Sequence, residues 1–284
     1  MLTIEKLSFG YSGEGLFRNL DLELEPGMIY GLLGKNGAGK TSLLRLISGQ
    51  LFPSGGRLDV LGFDPRLRQP GMLRDVYFLP EEFPVPRLTG TRYVALNSPF
   101  YPRFDRERFF DLCEGFQVDP AWALSQVSLG QKKKFLLAFG LASGVRLLIL
   151  DEPTNGLDIP SKRQFRRLAA SSLGEDQTIL ISTHQVRDME NLIDPVIILD
   201  SGHILFSGAI DSIAGKFHMS LETTEPLPQE AFYFERVPGG YSVVRRNHEG
   251  YDSHVDLEVF FNMVIERGED VAAIMQPGRE EDRV

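Results

Sequence analysis

The sequence lacks most of the features that mark secreted, membrane-spanning and nucleic-acid-binding proteins. A single cysteine, Cys113, excludes a disulfide framework and fits a reducing compartment. No apolar run approaches the ~20 residues that cross a bilayer, and residues 1–6 lack the basic start and apolar core of a signal peptide. The net charge of −9 provides no basic face for a phosphodiester backbone. We therefore expect a cytoplasmic protein that does not bind nucleic acid.

The size and apolar content of the chain are those of a globular enzyme. Its 284 residues can form one large α/β domain with a small appendage. The hydrophobic fraction of 42% is sufficient for a proper core.

A glycine-rich segment, residues 34–41, lies between an apolar stretch and a helix-like run. It matches the pattern G-x-x-x-x-G-K-[ST], in which backbone N–H groups and a helix N-terminus surround the phosphates of a nucleotide. In this pattern Lys40 reaches the β- and γ-phosphates, and the Thr41 hydroxyl ligates Mg²⁺. The segment predicts that the chain binds a nucleoside triphosphate. The nucleotide-binding residues predicted here are Gly34, Asn36, Gly37, Ala38, Gly39, Lys40, Thr41 and Ser42.

Two adjacent carboxylates follow the apolar run 147–150. This run predicts a strand that is buried on both faces. In P-loop enzymes a carboxylate at the position of Asp151 holds Mg²⁺, usually through water. Glu152, one residue further on, is positioned to polarise an attacking water as a general base. The pair therefore predicts hydrolysis of the bound nucleotide.

With these motifs, residues 1–215 resemble the nucleotide-binding ATPase subunit of ATP-binding cassette (ABC) transporters. Tyr11 matches the aromatic residue that stacks on adenine in that family. Residues 127–131 (VSLGQ) match its LSGGQ motif. The resemblance implies that Ser128, Gly130 and Gln131 cap the γ-phosphate of an ATP bound by the opposite protomer.

Two further positions complete the resemblance. Asp158 lies in a segment that matches the loop crossing the dimer interface of the family. His184 matches the switch histidine that contacts the γ-phosphate and orders the attacking water. The resemblance therefore implies a dimer, homomeric or heteromeric, that closes on two ATP molecules with Mg²⁺.

The sequence departs from the family pattern at two positions. Leu129 replaces the first glycine of LSGGQ, which predicts some loss of backbone freedom in the loop. Glu81 replaces the glutamine that links Mg²⁺ to the transmembrane partner. A carboxylate can also ligate a hard cation, so Glu81 is predicted as a third metal-binding residue beside Thr41 and Asp151.

The predicted fold is α/β: a P-loop NTPase core with a mostly parallel sheet, an antiparallel β subdomain, a helical subdomain at about 83–145 and a small C-terminal α+β appendage. Within the helical part, Asp105 is the expected N-cap of a helix ending at Phe116, and a second helix is expected over 129–142. We place the ATPase domain at 1–215 and an accessory region at 216–284. In that region we expect strands at 231–236 and 241–246, a helix at 256–265 and a charged tail at 278–284.

The favoured function is an ATPase subunit of an exporter, bound to separate transmembrane permease subunits at the cytoplasmic face of the membrane. The alternative is a soluble, non-transport ABC-type ATPase that acts in cofactor or complex assembly. A small-molecule kinase or GTPase is disfavoured by Glu152, by the motif at 127–131 and by the lack of an Asn-Lys-x-Asp guanine reader. A binding module without turnover is disfavoured because base, switch histidine and Mg²⁺ ligands are all present.

Overall fold

A computed structural model describes residues 1–275 of the chain; the predicted charged tail at 278–284 lies outside these residues. The strands of this part are β1 (Leu2–Tyr11), β2 (Glu14–Leu24), β3 (Ile29–Leu33), β4 (Gly55–Val60), β5 (Val76–Leu79), β6 (Leu147–Asp151), β7 (Thr178–Thr183), β8 (Val196–Asp200), β9 (His203–Gly208), β10 (Phe217–Glu222), β11 (Tyr233–Val237) and β12 (Gly240–Arg246).

The α-helices of the same residues are α1 (Lys40–Ile47), α2 (Pro70–Leu73), α3 (Gly90–Asn97), α4 (Arg106–Phe116), α5 (Leu129–Ala142), α6 (Ile159–Ala170), α7 (Val186–Met189), α8 (Ile210–Lys216) and α9 (Leu257–Met275). Two short 3-10 helices accompany them, Pro65–Leu67 and Ser98–Phe100.

A six-stranded sheet in the order β5-β6-β7-β3-β8-β9 forms the centre of the molecule. Its first five strands are parallel, and β9 joins β8 antiparallel. Strands β3, β6 and β7 are buried along their whole length, as their continuous apolar sequences predict. In this register Asp151 lies opposite Ser182. The carboxyl ends of these strands therefore meet at one edge of the sheet, which confirms the predicted P-loop core.

A separate antiparallel sheet, β2-β1-β4, shares a hydrophobic cluster with α1, the helix that follows the glycine-rich segment 34–41. The two residues between β1 and β2, Ser12 and Gly13, both have positive φ angles, 50° and 91°. Such a turn matches the twist of the flanking strands in a tight hairpin. It places Tyr11 at the end of β1, opposite Glu14.

The helical subdomain is built on α3, α4 and α5. The Asp105 side chain accepts a hydrogen bond from the backbone of Arg108 and caps α4, as predicted. Helix α5 begins with a reciprocal capping box, in which Ser128 accepts from the Gln131 amide and Gln131 accepts from the Ser128 amide. The predicted helix over 129–142 is confirmed.

Aromatic side chains fill the space between these helices and the central sheet. Phe139 of α5 contacts Tyr93, Tyr101 and Phe104 at ring-centroid distances of 5.0–5.8 Å. Phe100, by contrast, is 70% exposed. Most of these aromatic residues thus form the core of the subdomain rather than its surface.

The C-terminal region contains an antiparallel sheet, β10-β12-β11. Helix α8 packs against β10, and α9 packs against α8 and against β8 and β9 of the central sheet. Phe260 of α9 packs edge-on against Phe206 of β9 at 4.9 Å and lies 6.3 Å from Phe217 of β10. The hydrophobic core therefore continues without a break past residue 215.

The sequence predicted part of this region. The strands expected at 231–236 and 241–246 are present as β11 and β12, whereas β10 and α8 were not predicted. The helix expected at 256–265 is longer, because α9 runs to Met275 with a kink at Arg267.

Candidate active site

The glycine-rich segment 34–41, called the phosphate cradle from here on, connects β3 to α1. Gly37 and Gly39 adopt φ angles of 83° and 108°, which favour glycine. A Cβ atom on Gly34 would lie 2.4 Å from the carbonyl oxygen of Leu199 in β8, so the start of the loop also needs glycine for packing against the sheet.

Lys40 is almost completely buried and folds back over the loop. Its ammonium donates hydrogen bonds to the carbonyl oxygens of Gly34, at 2.8 Å, and Lys35, at 3.3 Å. It also lies 3.5 Å from the Oε1 atom of Glu152. The cation thus stands between the cradle backbone and the predicted general base.

Asp151 is held by two hydroxyl groups at the end of β6. The Oγ1 of Thr41 donates to its Oδ2 at 2.8 Å, and the hydroxyl of Ser182 donates to its Oδ1. The structure therefore brings together Thr41 and Asp151, two of the three predicted Mg²⁺ residues, which lie 110 positions apart in the chain. The parallel pairing of β6 and β7 fixes this arrangement, because it sets Ser182 directly beside Asp151.

Glu152 has an unusual environment for a carboxylate. It is 4% exposed, and its Oε1 lies 2.8 Å from Nδ1 of His184. Its Oε2 is buried and has no hydrogen-bond partner among residues 1–275. A buried acceptor without a partner is costly, unless a ligand or a water molecule supplies the missing hydrogen bond.

Glu81 lies on the same side of the sheet, next to the cradle. Its Oε1 accepts a hydrogen bond from the side-chain amide of Asn155 at 2.8 Å, and Gln185 donates in turn to the Oδ1 of Asn155. This chain of polar groups connects the loop after β5 to the loops after β6 and β7. Glu81 therefore belongs to the site, although it does not contact Thr41 or Asp151 directly.

Tyr11 borders the cradle from the antiparallel sheet. Its ring is 48% exposed and packs edge-on against Phe9, and its hydroxyl lies 3.0 Å from the hydroxyl of Ser42. Between Tyr11 and Glu152 is an open cavity of about 410 Å³, large enough for a small-molecule ligand. The predicted site residues that line this cavity are Tyr11, Asn36, Gly37, Gly39, Lys40, Thr41, Ser42, Glu81 and Glu152.

The LSGGQ-like motif, residues 127–131, is not part of this cavity in the region that the structure describes. Ser128 is exposed and Gly130 and Gln131 are half-buried at the start of α5. Leu129 is 62% exposed and is the first residue of the helix, with an ordinary helical backbone. Leu129 therefore adopts a conformation that is open to any residue, and the effect of this substitution on the approach of a phosphate stays a prediction.

Asp158 caps α6 through a hydrogen bond from the Ser161 amide at 3.0 Å. It lies just beyond Gly156 and Leu157, and the carbonyl of Gly156 comes close to Gly130 at the start of α5. The loop that contains Asp158 and the start of α5 thus form one exposed surface.

Three polar residues of this region were not singled out from the sequence. Ser182 lies two residues before the predicted switch histidine, and Asn155 lies three residues after Glu152. Lys133 was overlooked within a run of three lysines, which normally indicates a solvated helix face. Asn155 lies in the loop between the acidic pair and α6, and this position is the signal that could have identified it.

Comparisons with known proteins agree with this geometry. The family model described as "ABC transporter" matches residues 17–155. The ABC transporter ATP-binding protein NatA of Bacillus subtilis is 33% identical over 204 residues, which cover 69% of this chain and 82% of NatA. The bacitracin transport ATP-binding protein BcrA of Bacillus licheniformis is 31% identical over 219 residues, which cover 75% of this chain and 71% of BcrA.

Solved structures show the same fold. An ATP-binding subunit of an ABC transporter superimposes with a TM-score of 0.69 at 24% identity, covering 75% of this chain and 91% of that one. An ATP-binding protein from Pyrococcus furiosus, described as a putative ABC transporter protein, gives a TM-score of 0.60 at 27% identity over 70% of this chain and 96% of its own length.

The cradle, the carboxylate pair and these relatives define an ATPase of the P-loop class. More specifically, the chain belongs to the ATP-binding subunits of ABC transporters and hydrolyses ATP. ATP-binding subunits of this family dimerise and act together with transmembrane permeases. None of the helices among residues 1–275 has the length and hydropathy of a membrane-spanning segment.

Proposed function

We propose that the protein is the ATPase of an exporter-type ABC transporter and that two protomers close head-to-tail on two ATP molecules. The observation that carries the proposal is the Glu152 carboxylate, which lies beside Lys40 and His184 with one oxygen buried and unpaired. A water molecule held by that oxygen would stand next to the cradle.

In the proposed reaction the γ-phosphate competes with Glu152 for the Lys40 ammonium. Glu152, freed from this ion pair, accepts a proton from the attacking water, and the oxygen of that water forms the new bond to the γ-phosphorus as the bond to ADP breaks. His184 donates a hydrogen bond that orders the water or the γ-phosphate. These roles assign Lys40 and His184, the two groups beside the Glu152 carboxylate, to steps of hydrolysis.

Mg²⁺ is the proposed companion of ATP at this site. Thr41, Asp151 and Glu81 offer one hydroxyl and two carboxylates, which are the hard oxygen donors that Mg²⁺ prefers. Mg²⁺ is usually held by one or two carboxylates together with the phosphates of the substrate. When bound, Mg²⁺ would neutralise charge on the β- and γ-phosphate oxygens.

The proposal includes a head-to-tail dimer, because the start of α5 is a helix N-terminus, where the helix dipole favours an anion, and it lies away from the protomer's own cradle. Such a position is useful if it faces a phosphate held by a symmetric partner. Asp158 and its loop would also contact that partner. Ser128, Gly130 and Gln131 would then cap the γ-phosphate of the partner. The dimer contains either two copies of this chain or one copy and a related subunit. Identification of the chains that co-purify distinguishes the two.

Export through separate transmembrane subunits at the cytoplasmic face of the membrane is proposed from the relatives. NatA and BcrA are ATP-binding proteins of transporters, and BcrA serves bacitracin transport. A daunorubicin resistance ATP-binding protein of Streptomyces coeruleorubidus is 30% identical over 224 residues. The exposed Phe100 is a candidate contact to such a partner, and affinity purification from detergent-solubilised membranes would identify it.

ATP-driven dimerisation is the direct test of the proposed function. In the Glu152→Gln variant with saturating ATP and Mg²⁺, light scattering is expected to report the mass of a dimer, because the γ-phosphates that bridge the protomers are retained. The matched control adds Leu129→Asp. An acidic residue in the first turn suits the helix dipole, but its charge would face the phosphates of the partner. This double variant should bind ATP and stay monomeric. A monomer in both variants, with ATP demonstrably bound, would remove the cassette mechanism.

Stacking of Tyr11 on the adenine is tested by the Tyr11→Ala variant. The loss of one base–aromatic stack is expected to weaken ATP binding by about 1–3 kcal/mol, or roughly 5- to 150-fold in the dissociation constant. Tyr11→Phe is the control, because it keeps the ring but loses the hydroxyl contact to Ser42. Fluorescence titration of a labelled ATP analogue measures both. Equal weakening in the two variants would assign the effect to the hydroxyl and contradict stacking.

A further inference from the structure

Lys133 is a buried cation that the reaction described above does not use. It lies on α5 and is 3% exposed. Its ammonium donates hydrogen bonds to the backbone carbonyl oxygens of Glu152, at 3.1 Å, and Asn155, at 2.9 Å. Burial lowers the pKa of Lys133, and the nearby carboxylates of Glu81, Glu152 and Asp151 counteract this lowering. A buried ammonium is retained only where its partners compensate its desolvation.

Both acceptors belong to the loop that carries the general base. Glu152 has a φ angle of 47°, a left-handed conformation that is costly for a residue with a side chain and persists where the surroundings enforce it. Its amide is fixed by hydrogen bonds to the backbone and side chain of Ser182. Its carbonyl is fixed by Lys133. Ser182 and Lys133 therefore hold the backbone N–H and C=O groups of the strained residue Glu152.

The same loop carries a second polar group of the site. Asn155 donates its side-chain amide to Glu81, so the position of its backbone affects the residue proposed to contact the metal. Lys133 lies five residues after Ser128, which at 1.5 Å per residue is about 7.5 Å along the helix. One side chain therefore connects the beginning of α5 with the loop of the carboxylate.

We propose that Lys133 is a positioning residue for ATP hydrolysis: it holds the backbone of residues 152–155 against α5 and so keeps the Glu152 carboxylate where it can activate water. The inference rests on the proposed function, in which Glu152 is the general base. It adds that one side chain connects the start of α5, which would face the partner's nucleotide, with Glu152, the general base for the protomer's own nucleotide.

The test compares Lys133→Met with Lys133→Arg. Methionine keeps an unbranched stem but removes all donors, whereas arginine keeps donors that can reach two carbonyl oxygens. Lys133→Met is expected to lower kcat about 10- to 100-fold, the range for a small misplacement of a catalytic group. The dissociation constant for ATP should stay within about twofold, because Lys133 does not line the cradle. Lys133→Arg is expected to recover most of the lost kcat.

Lys132→Met is the matched control, since Lys132 is half-buried in the same run of lysines and has no hydrogen bond from its side chain among residues 1–275. It should keep the kcat of the wild type. Unchanged kcat in Lys133→Met, or equal losses of kcat and ATP affinity, would overturn the proposal. If the methionine variant does not fold, a folded Lys133→Arg protein without activity would overturn it as well.

The Glu152→Gln variant separates this inference from the proposed function. A normal rate in Lys133→Met together with a severe loss in Glu152→Gln would overturn only the role of Lys133. A normal rate in Glu152→Gln would instead overturn the assignment of the base.

Discussion

Replacing Glu152 with glutamine is expected to lower the rate of ATP hydrolysis by a factor of about 10² to 10⁴, the range for loss of a general base. The substitution keeps the volume of the side chain and its contact with His184, but the amide cannot accept a proton. Binding of ATP should remain, because the cradle and Lys40 are unchanged. Phosphate release under saturating ATP and Mg²⁺ measures the rate, and titration with a labelled nucleotide measures the affinity.

Glu107→Gln is a suitable control for this variant, because Glu107 is an exposed carboxylate in the first turn of α4. It should hydrolyse ATP at the wild-type rate. Near-normal turnover in Glu152→Gln would show that another group activates the water, and His184 would then be the next residue to test.

Replacing Phe260 with alanine is expected to destabilise the protein by about 3–5 kcal/mol, the cost of truncating a buried aromatic side chain. Phe260 is completely buried between Phe206 of the central sheet and Phe217 of the C-terminal sheet. The free energy of unfolding, measured from urea denaturation, should fall by that amount.

Phe100→Ala serves as the control, since the ring of Phe100 is largely exposed and surface substitutions usually change stability by less than about 0.5 kcal/mol. If Phe260→Ala cost no more than Phe100→Ala, the C-terminal region would not share the core of the ATPase domain. The domain boundary at residue 215 remains a prediction. The continuous core, however, leads us to expect that a chain cut there loses stability.

The parts of the site that lie within contiguous motifs could be predicted from the sequence. The cradle at 34–41 and the Asp151-Glu152 pair each combine a recognisable local pattern with a strand end. Their placement at one edge of the sheet then follows from parallel pairing. The helix caps at Asp105 and Ser128 were equally predictable, because capping depends on residues three positions apart.

Contacts between distant segments could not be predicted in this way. The bonds from Lys133 to the carbonyl of Glu152 and from Asn155 to Glu81 depend on how α5 and the loops pack. Strand β10 was missed because its sequence, FHMSLE, is short and partly polar. Its pairing with β12 supplies the stabilisation that local propensity does not.

The sheet order also determines when the nucleotide site can form during synthesis. Strand β3 ends at Leu33, but its two neighbours, β7 and β8, begin only at Thr178 and Val196. At typical rates of translation the ribosome needs on the order of ten seconds to make the intervening residues. Throughout that interval the apolar β3 has no partner strands, and the cradle has no Ser182 or His184 beside it. ATP can therefore stabilise the native chain by mass action only once most of the polypeptide has emerged.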